Sequence, residues 1–186
     1  MSRLNFTDLS LSGLKLMQPQ RLGDSRGFLS RLFCAEELAA AGWVKPIVQI
    51  NHTYTAKCGT VRGMHFQYPP HAEMKFVRCL RGEVFDVALD LRRGSPTFLH
   101  WHAEVLSGDN HRTFIIPEGF AHGFQALADE CEMLYFHTAA YCKEAEGGLH
   151  VLDPRLDIHW PLPIAGLSQR DAEHPRIGNE FQGVEA

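Results

Sequence analysis

The segment from Arg62 to Lys75 reads RGMHFQYPPHAEMK and holds two histidines, His65 and His71, and one acid, Glu73, between two cationic ends. Imidazole and carboxylate groups together are ligands of transition metals. A histidine is equally the usual general base near neutral pH, and a fixed cation stabilises the anion that proton removal creates. The segment therefore indicates either a metal centre or proton transfer without a metal.

A metal site on a jelly roll of the cupin type needs an H-x-H pair with a glutamate, and a third histidine after P-x-G on a later strand. The later motif is intact in PEGFAHGF, which ends at His122, but Gln67 replaces the second histidine of the pair. His71 and Glu73 could substitute, yet they follow two prolines and are expected in a loop. We predict no metal and no cofactor, because a transition metal needs three or four convergent donors.

The proton-transfer interpretation depends on the side chains near His65. Arg62, Lys75 and Arg78 fall in the same predicted strand pair, and such cations could neutralise a diphosphate or an enolate. Alternation places Arg62 and His65 on opposite faces unless Gly63 introduces a bulge. The alternative is that these cations have no chemical role and simply lie on a solvent-exposed strand face.

A third candidate lies in EMLYFHTAAY, where alternation places Tyr135 and His137 on one strand face. A tyrosine can return a proton as a general acid. From its residue type alone, a core tyrosine with its hydroxyl at the rim is the better interpretation.

Strands must position these groups. Short β-branched and aromatic segments recur between turn signals, among them PIVQIN, MKFVRCL and RTFIIP. We predict an all-β, cupin-like jelly-roll β-sandwich, because one open sheet would leave long exposed edges. It forms a single domain over residues 1–186 with a few short helices, mainly near Cys34 to Gly42 and in a C-terminal tail that wraps the barrel from about residue 153.

The segment EVFDVALDL alternates, with Val84 and Asp86 on one face and Val87 and Leu89 on the other. This pattern predicts a strand with one packed face.

The 186 residues carry 18 basic and 22 acidic side chains, mixed along the chain to a net charge of -4. Without a basic stripe, we predict neither nucleic acid nor a membrane surface as a partner. The N-terminus lacks signal-peptide features and no apolar run reaches membrane-spanning length, which predicts a cytoplasmic protein. The five scattered cysteines predict reduced thiols.

The ordered motifs from about Gly23 to Asp171 resemble those of the dTDP-4-dehydrorhamnose 3,5-epimerase family. They include GDSRGF, VQINH, RGMHFQ, IPEGFAHGF, MLYFHT and LSQRD. The resemblance implies a metal-independent, homodimeric jelly-roll enzyme. Its activity would be inversion of C3 and C5 of a dTDP-4-keto-6-deoxyhexose in dTDP-L-rhamnose biosynthesis.

The resemblance also implies roles for individual residues. His65 would be the base that removes the proton next to the ketone, with Asp171 as its orienting partner. Tyr135 would return a proton from the opposite face, and Lys75 would stabilise the enolate oxygen. Eight more positions resemble those that hold the substrate, some of them from the partner subunit: Arg26, Gln49, Asn51, Arg62, His122, Tyr141, Glu146 and Arg170.

Two positions depart from the family pattern. Arg31 occupies a position where the family commonly has glutamate, so a cation replaces an acidic contact involved in thymidine recognition. His71 lies near a position where glutamine is usual. Some relatives with the same base and acid invert only C3 or only C5. A single-site epimerase is therefore an alternative function, and a 3,4-ketoisomerase is another. A metal-dependent cupin such as an oxygenase and a non-catalytic sugar-nucleotide binder are the alternatives from other classes.

Overall fold

A computed structural model describes residues 2–185, which form mainly antiparallel strands. The strands are β1 (Leu4–Asp8), β2 (Lys15–Pro19), β3 (Arg21–Asp24), β4 (Gly27–Ser30), β5 (Gln49–Thr55), β6 (Val61–Gln67), β7 (Lys75–Arg81), β8 (Glu83–Asp90), β9 (Trp101–Ser107), β10 (Thr113–Ile116), β11 (Phe120–Ala126), β12 (Cys131–His137) and β13 (Glu146–Gly148). The helices are α1 (Ala35–Ala40) and α2 (Gln169–Ala172), with a 3-10 turn at Lys143–Ala145.

Two antiparallel sheets form a sandwich. The first has the strand order β1-β2-β10-β7-β12-β5 and the second the order β13-β6-β11-β8-β9, while β3 and β4 form a separate hairpin. The predicted jelly-roll sandwich is confirmed. The predicted helix at Cys34 to Gly42 corresponds to α1, and a short helix, α2, lies in the tail as predicted.

The core between the sheets is apolar and closely packed. Val77 of β7 and Phe114 of β10 meet Val84 of β8 and Phe124 of β11, and each is at most 2% exposed. Burial of such apolar side chains away from water is the main contribution to the folding stability of a β-sandwich. The core therefore provides a stiff frame for polar groups at the edge of the sandwich.

Strand β8 is packed on both faces, so the prediction of one packed face is wrong. Val84 faces the core between the sheets. Val87 and Leu89 point the other way, into a second cluster that includes Val151 and Leu156 from beyond β13. The C-terminal part of the chain covers the outer face of this sheet, and both faces of β8 are therefore shielded from water.

The tail is attached to the second sheet by hydrogen bonds. Val61 N donates to Gly166 O at 2.9 Å, and the side-chain oxygen of Gln125 accepts from Leu162 N at 2.9 Å. Ser168 then caps α2 by accepting from Asp171 N at 3.1 Å. These contacts bring Asp171 to the face of β6.

A bulge in β6 changes the direction of its side chains. His65 pairs with His122 of β11, whereas Arg62 pairs with Phe124, and the register shifts between these pairs. Gly63 lies in the bulge with φ +133°, and a Cβ there would lie 2.6 Å from Gly123 Cα. Only glycine fits this position without displacing the neighbouring strand. The bulge lets Arg62 and His65 line one cavity, which simple alternation forbids.

Among residues 2–185, no helix is long and apolar enough to cross a membrane.

Substitution Gly63→Ala should destabilise the fold more than Gly27→Ala. Both glycines have nearly the same φ, +133° and +132°, but a Cβ on Gly27 has nothing within 4 Å. The clash at Gly63 should therefore lower the free energy of unfolding by about 1–3 kcal/mol beyond the cost of the backbone conformation alone. Urea unfolding of both variants measures this difference. Equal destabilisation would contradict the close approach of β6 and β11.

Candidate active site

A cavity of about 680 Å³ lies between the two sheets and the tail. The second sheet contributes His65 and His122 to its wall, and the first sheet contributes Lys75, Tyr135 and His137. Titratable groups thus face each other across the cavity from opposite sheets.

His65 and Asp171 form a hydrogen-bonded pair at one wall, with His65 Nε2 2.8 Å from Asp171 Oδ1. Asp171 Oδ2 accepts from Gly63 N at 3.2 Å. Burial alone would raise the pKa of Asp171, but the His65 hydrogen bond and charge, the Gly63 N–H and the Arg170 guanidinium lower it to about 2. Because an ionised carboxylate only accepts, Nε2 carries the proton and Nδ1 is left as the basic nitrogen.

Arg170 links this pair to the rim of the cavity. Its Nε donates to Asp171 Oδ1 at 3.3 Å, and its Nη1 donates to Glu146 at 3.0 Å. Glu146 also accepts from the Tyr141 hydroxyl at 3.2 Å. Three residues predicted to hold the substrate therefore lie together in one polar network beside His65.

A second histidine–carboxylate pair lies deeper. His122 Nε2 is 2.9 Å from Asp86 Oδ1, and both side chains are buried. Burial raises the pKa of Asp86, although the charges of His122 and Lys75 oppose this shift. Sequence reasoning missed Asp86 as a site residue, because the alternation of this segment showed only which strand face it shares with Val84.

Tyr135 is 9% exposed and lies on the sheet that faces His65. Burial raises the pKa of Tyr135 above its usual range, while a hydrogen bond from Thr53 at 3.5 Å opposes the shift. The phenol therefore keeps its proton throughout the neutral range and is available as a donor. The cavity position argues against a purely structural tyrosine.

Lys75 is buried and pairs with Glu73, a residue of the preceding loop. Its Nζ lies 3.1 Å from Glu73 Oε1 and 3.5 Å from His65 O. Glu73 Oε2 in turn accepts from His137 Nδ1 at 2.8 Å. Burial would raise the pKa of Glu73, but the charge of Lys75 and the hydrogen bond from His137 keep it below its usual value. In the sequence, the one indication of this contact was that Glu73 lies two residues before Lys75.

The other predicted binding residues fall into two groups. Asn51 and Arg62 line the cavity, and Gln49 lies beside them with its amide nitrogen 3.2 Å from Asn51 Oδ1. Arg26 lies on the β3–β4 hairpin, where it pairs with Asp24 and is not part of the cavity wall. Arg31 forms an ion pair with Glu37, also outside this cavity.

The side chains at the metal-like positions are already engaged. Gln67 donates to His71 O and accepts from Cys142 N, so its amide supports loops. His65, Asp171 and His174 have possible ligand atoms within 4.8 Å of one another. Two of these atoms share a hydrogen bond, however, and the Arg170 guanidinium would repel a cation there. The arrangement suits proton transfer better than metal binding.

Comparisons with known proteins agree with this geometry. The family model described as dTDP-4-dehydrorhamnose 3,5-epimerase matches residues 8–179. The dTDP-4-dehydrorhamnose 3,5-epimerase of Sinorhizobium fredii is 40% identical over 182 residues, which is 95% of this chain and 91% of that protein. The dTDP-4-dehydrorhamnose 3-epimerase of Streptomyces niveus is 37% identical and covers 89% of this chain and 80% of its own length.

A solved structure is similar over nearly the whole chain. The dTDP-6-deoxy-D-glucose-3,5-epimerase of Legionella pneumophila, in complex with dTDP-4-keto-L-rhamnose, superposes with a TM-score of 0.91. The two sequences are 38% identical, and the match covers 98% of this chain and 99% of that one.

Substitution Asp171→Asn should remove a pH-dependent contribution to stability. Because the folded-state pKa of Asp171 is lowered from 3.8 to about 2, its contribution is complete above the unfolded pKa and is lost as pH falls through the folded pKa. Wild type should exceed the variant by about 2 kcal/mol at pH 6, and the difference should shrink between about pH 4 and pH 2.

Chemical denaturation at a series of pH values measures this difference. Asp157→Asn is the matched control, because Asp157 is 79% exposed. A difference between wild type and Asp171→Asn that does not vary with pH would contradict an ionised, hydrogen-bonded Asp171.

Proposed function

The chain belongs to the dTDP-4-dehydrorhamnose 3,5-epimerase family, and we propose that it inverts C3 and C5 of a dTDP-4-keto-6-deoxyhexose in dTDP-L-rhamnose biosynthesis. One observation carries the mechanism. A histidine oriented by an ionised carboxylate and a protonated tyrosine face the same cavity from opposite sheets.

The first step is removal of a proton by His65. A C–H bond next to the C4 ketone is weakly acidic, because the electron pair left behind moves onto the ketone oxygen. His65 Nδ1 takes the proton, and the ionised Asp171 stabilises the resulting imidazolium through Nε2–H. No redox change occurs, so no oxidant or reductant is needed.

The second step returns a proton from the other side. Tyr135 gives its phenolic proton to the carbon as the electron pair returns from the oxygen, and the configuration inverts because the two groups lie on opposite sheets. The imidazolium then loses its extra proton to solvent and the phenolate takes one up from solvent, which resets both residues.

Lys75 stabilises the anion between these steps. Its ammonium group lies in the cavity wall and is buried, where a fixed charge acts more strongly than in water. Because C3 and C5 both neighbour C4, one cation serves both inversions. The remaining polar groups supply substrate contacts: Gln49, Asn51, Arg62, His122, Tyr141, Glu146 and Arg170.

Incubation of wild type with dTDP-4-keto-6-deoxyglucose in deuterated buffer should place deuterium at C3 and C5. His65→Ala should slow this exchange by about 10²–10⁴-fold, since it removes the base. Tyr135→Phe should retain exchange but lose inversion, because the base can still remove and return a proton on its own side.

Proton NMR of the sugar reads both the label and the configuration. His159→Ala, at a side chain that is 77% exposed, is the control and should behave like wild type. Undiminished exchange in His65→Ala would remove His65 as the base. Loss of activity on adding a chelator would favour a metal-dependent reaction.

A single inversion at C3 is the second candidate, favoured by the similarity to a dTDP-4-dehydrorhamnose 3-epimerase at 37% identity. The same experiment separates the two, because a 3-epimerase leaves C5 unlabelled and uninverted.

We also propose that the chain forms a homodimer and acts in the cytoplasm. The dimer is supported by exposed apolar side chains on the β3–β4 hairpin and the outward face of β5: Phe28, Leu29, Ile50 and Tyr54. Exposed apolar side chains of this size are typical of interaction surfaces. The turn of the hairpin also carries Arg26, which pairs with Asp24, lies outside the cavity of its own chain and would reach that of a partner.

Substitution Ile50→Asp should disrupt this dimer, because it places a charge in an apolar interface. Leu152→Asp is a matched control, since both side chains are 56% exposed and Leu152 lies outside the hairpin and β5. Light scattering should give about twice 21.0 kDa for wild type and the control, and 21.0 kDa for Ile50→Asp. A monomeric wild type would contradict the proposal.

A further inference from the structure

A run of hydrogen bonds joins the rim of the cavity to Lys75 through two residues that the mechanism does not use. We propose that Glu73 and His137 are positioning residues that hold the Lys75 ammonium in place and fix the tautomer of His137. The inference rests on the proposed function, because it concerns the cation that stabilises the enolate.

The run begins at the rim. Tyr141 N donates to Gln49 Oε1 at 3.0 Å, and Gln49 Nε2 donates to Asn51 Oδ1 at 3.2 Å. Asn51 Nδ2 lies 3.4 Å from His137 Nε2. His137 Nδ1 is 2.8 Å from Glu73 Oε2, and Lys75 Nζ is 3.1 Å from Glu73 Oε1.

The two ends fix the direction of every bond. A backbone N–H can only donate, so Gln49 presents its oxygen to Tyr141 and its NH₂ group to Asn51. Asn51 then presents its own NH₂ group to His137, whose Nε2 must accept. At the other end an ammonium group can only donate, and an ionised carboxylate only accepts. Both ends therefore require the same tautomer of His137, with the proton on Nδ1.

The surroundings of Lys75 explain why a carboxylate is needed at position 73. Lys75 and Glu73 side chains are each 9% exposed, and burial disfavours an isolated ammonium charge. The His65 carbonyl oxygen and the Asp86 carboxyl group also lie near Lys75, but Asp86 is itself hydrogen-bonded to His122. Glu73 is the anion in direct contact.

A glutamine at position 73 could not replace Glu73. A carboxylate offers two accepting oxygens, one for Lys75 and one for His137, whereas an amide offers one oxygen and one donating nitrogen. The ammonium would take the oxygen, and the amide NH₂ group would face His137 Nδ1. His137 would then carry its proton on Nε2, pointing at the Asn51 NH₂ group, and the run would be broken.

The Glu73→Gln variant tests this proposal with two readouts. In protein labelled with ¹⁵N-histidine at pH 8, long-range ¹H–¹⁵N NMR should show His137 protonated at Nδ1 in wild type and at Nε2 in the variant. His137→Asn assigns the signal by its disappearance. The kcat for epimerisation should fall about tenfold while KM changes less than about threefold, because Lys75 acts on the enolate.

Glu104→Gln is the matched control. Glu104 contacts His102 at 3.0 Å on β9, which is also a histidine–glutamate pair but lies outside the cavity. It should leave kcat and the His137 signal unchanged.

A wild-type His137 protonated at Nε2 would overturn the proposal without any variant, even if Glu73→Gln did not fold. An unchanged kcat in a folded Glu73→Gln would also overturn it. Wild type that shows the Nδ1 tautomer but exchanges no deuterium would instead refute the proposed function and leave the hydrogen-bond run intact.

Discussion

The 2.8 Å hydrogen bond between His65 and Asp171 is the contact on which the rest of the site depends. The two residues are 106 positions apart, and they meet because the tail crosses the second sheet and α2 begins at Ser168. The bulge at Gly63 turns His65 into the cavity and supplies a backbone N–H to the same carboxylate. One pair thus links strand geometry, the path of the tail and the ionisation of Asp171.

The cavity holds three histidines, each paired with a carboxylate, and the pairs differ in burial. Asp171 has a lowered pKa because the hydrogen bond and charge of His65, the Gly63 N–H and the Arg170 charge outweigh burial, whereas burial raises the pKa of Asp86 beside His122. Glu73 balances a buried cation as well as a histidine. The apolar core lets these polar groups keep fixed orientations, because each carboxylate is hydrogen-bonded to its histidine. Preorganised charge of this kind is what stabilisation of an enolate requires.

Much of this site could be predicted from local sequence, and the remainder depended on long-range contacts. The alternation of strand segments and turns predicted the sandwich, and residue chemistry made His65 a candidate base, whereas the role of Tyr135 came only from the family resemblance. The second packed face of β8 could not be foreseen, because the covering side chains come from beyond β13. Glu73 lies in a loop as predicted, but the return of that loop to Lys75 could not be read from the sequence. Asp86 looked like one more position of an alternating strand until its partner His122 was known.

The central claim is that base and acid act on opposite faces of one sugar ring. The most direct measurement is a crystal structure of this chain with a bound dTDP-4-keto sugar. The account predicts the His65 imidazole on one face of the ring and the Tyr135 hydroxyl on the other, each about 3–3.5 Å from the carbon that it serves, with Lys75 at the C4 oxygen. A ring with His65 and Tyr135 on the same face, or with the C4 oxygen far from Lys75, would contradict it.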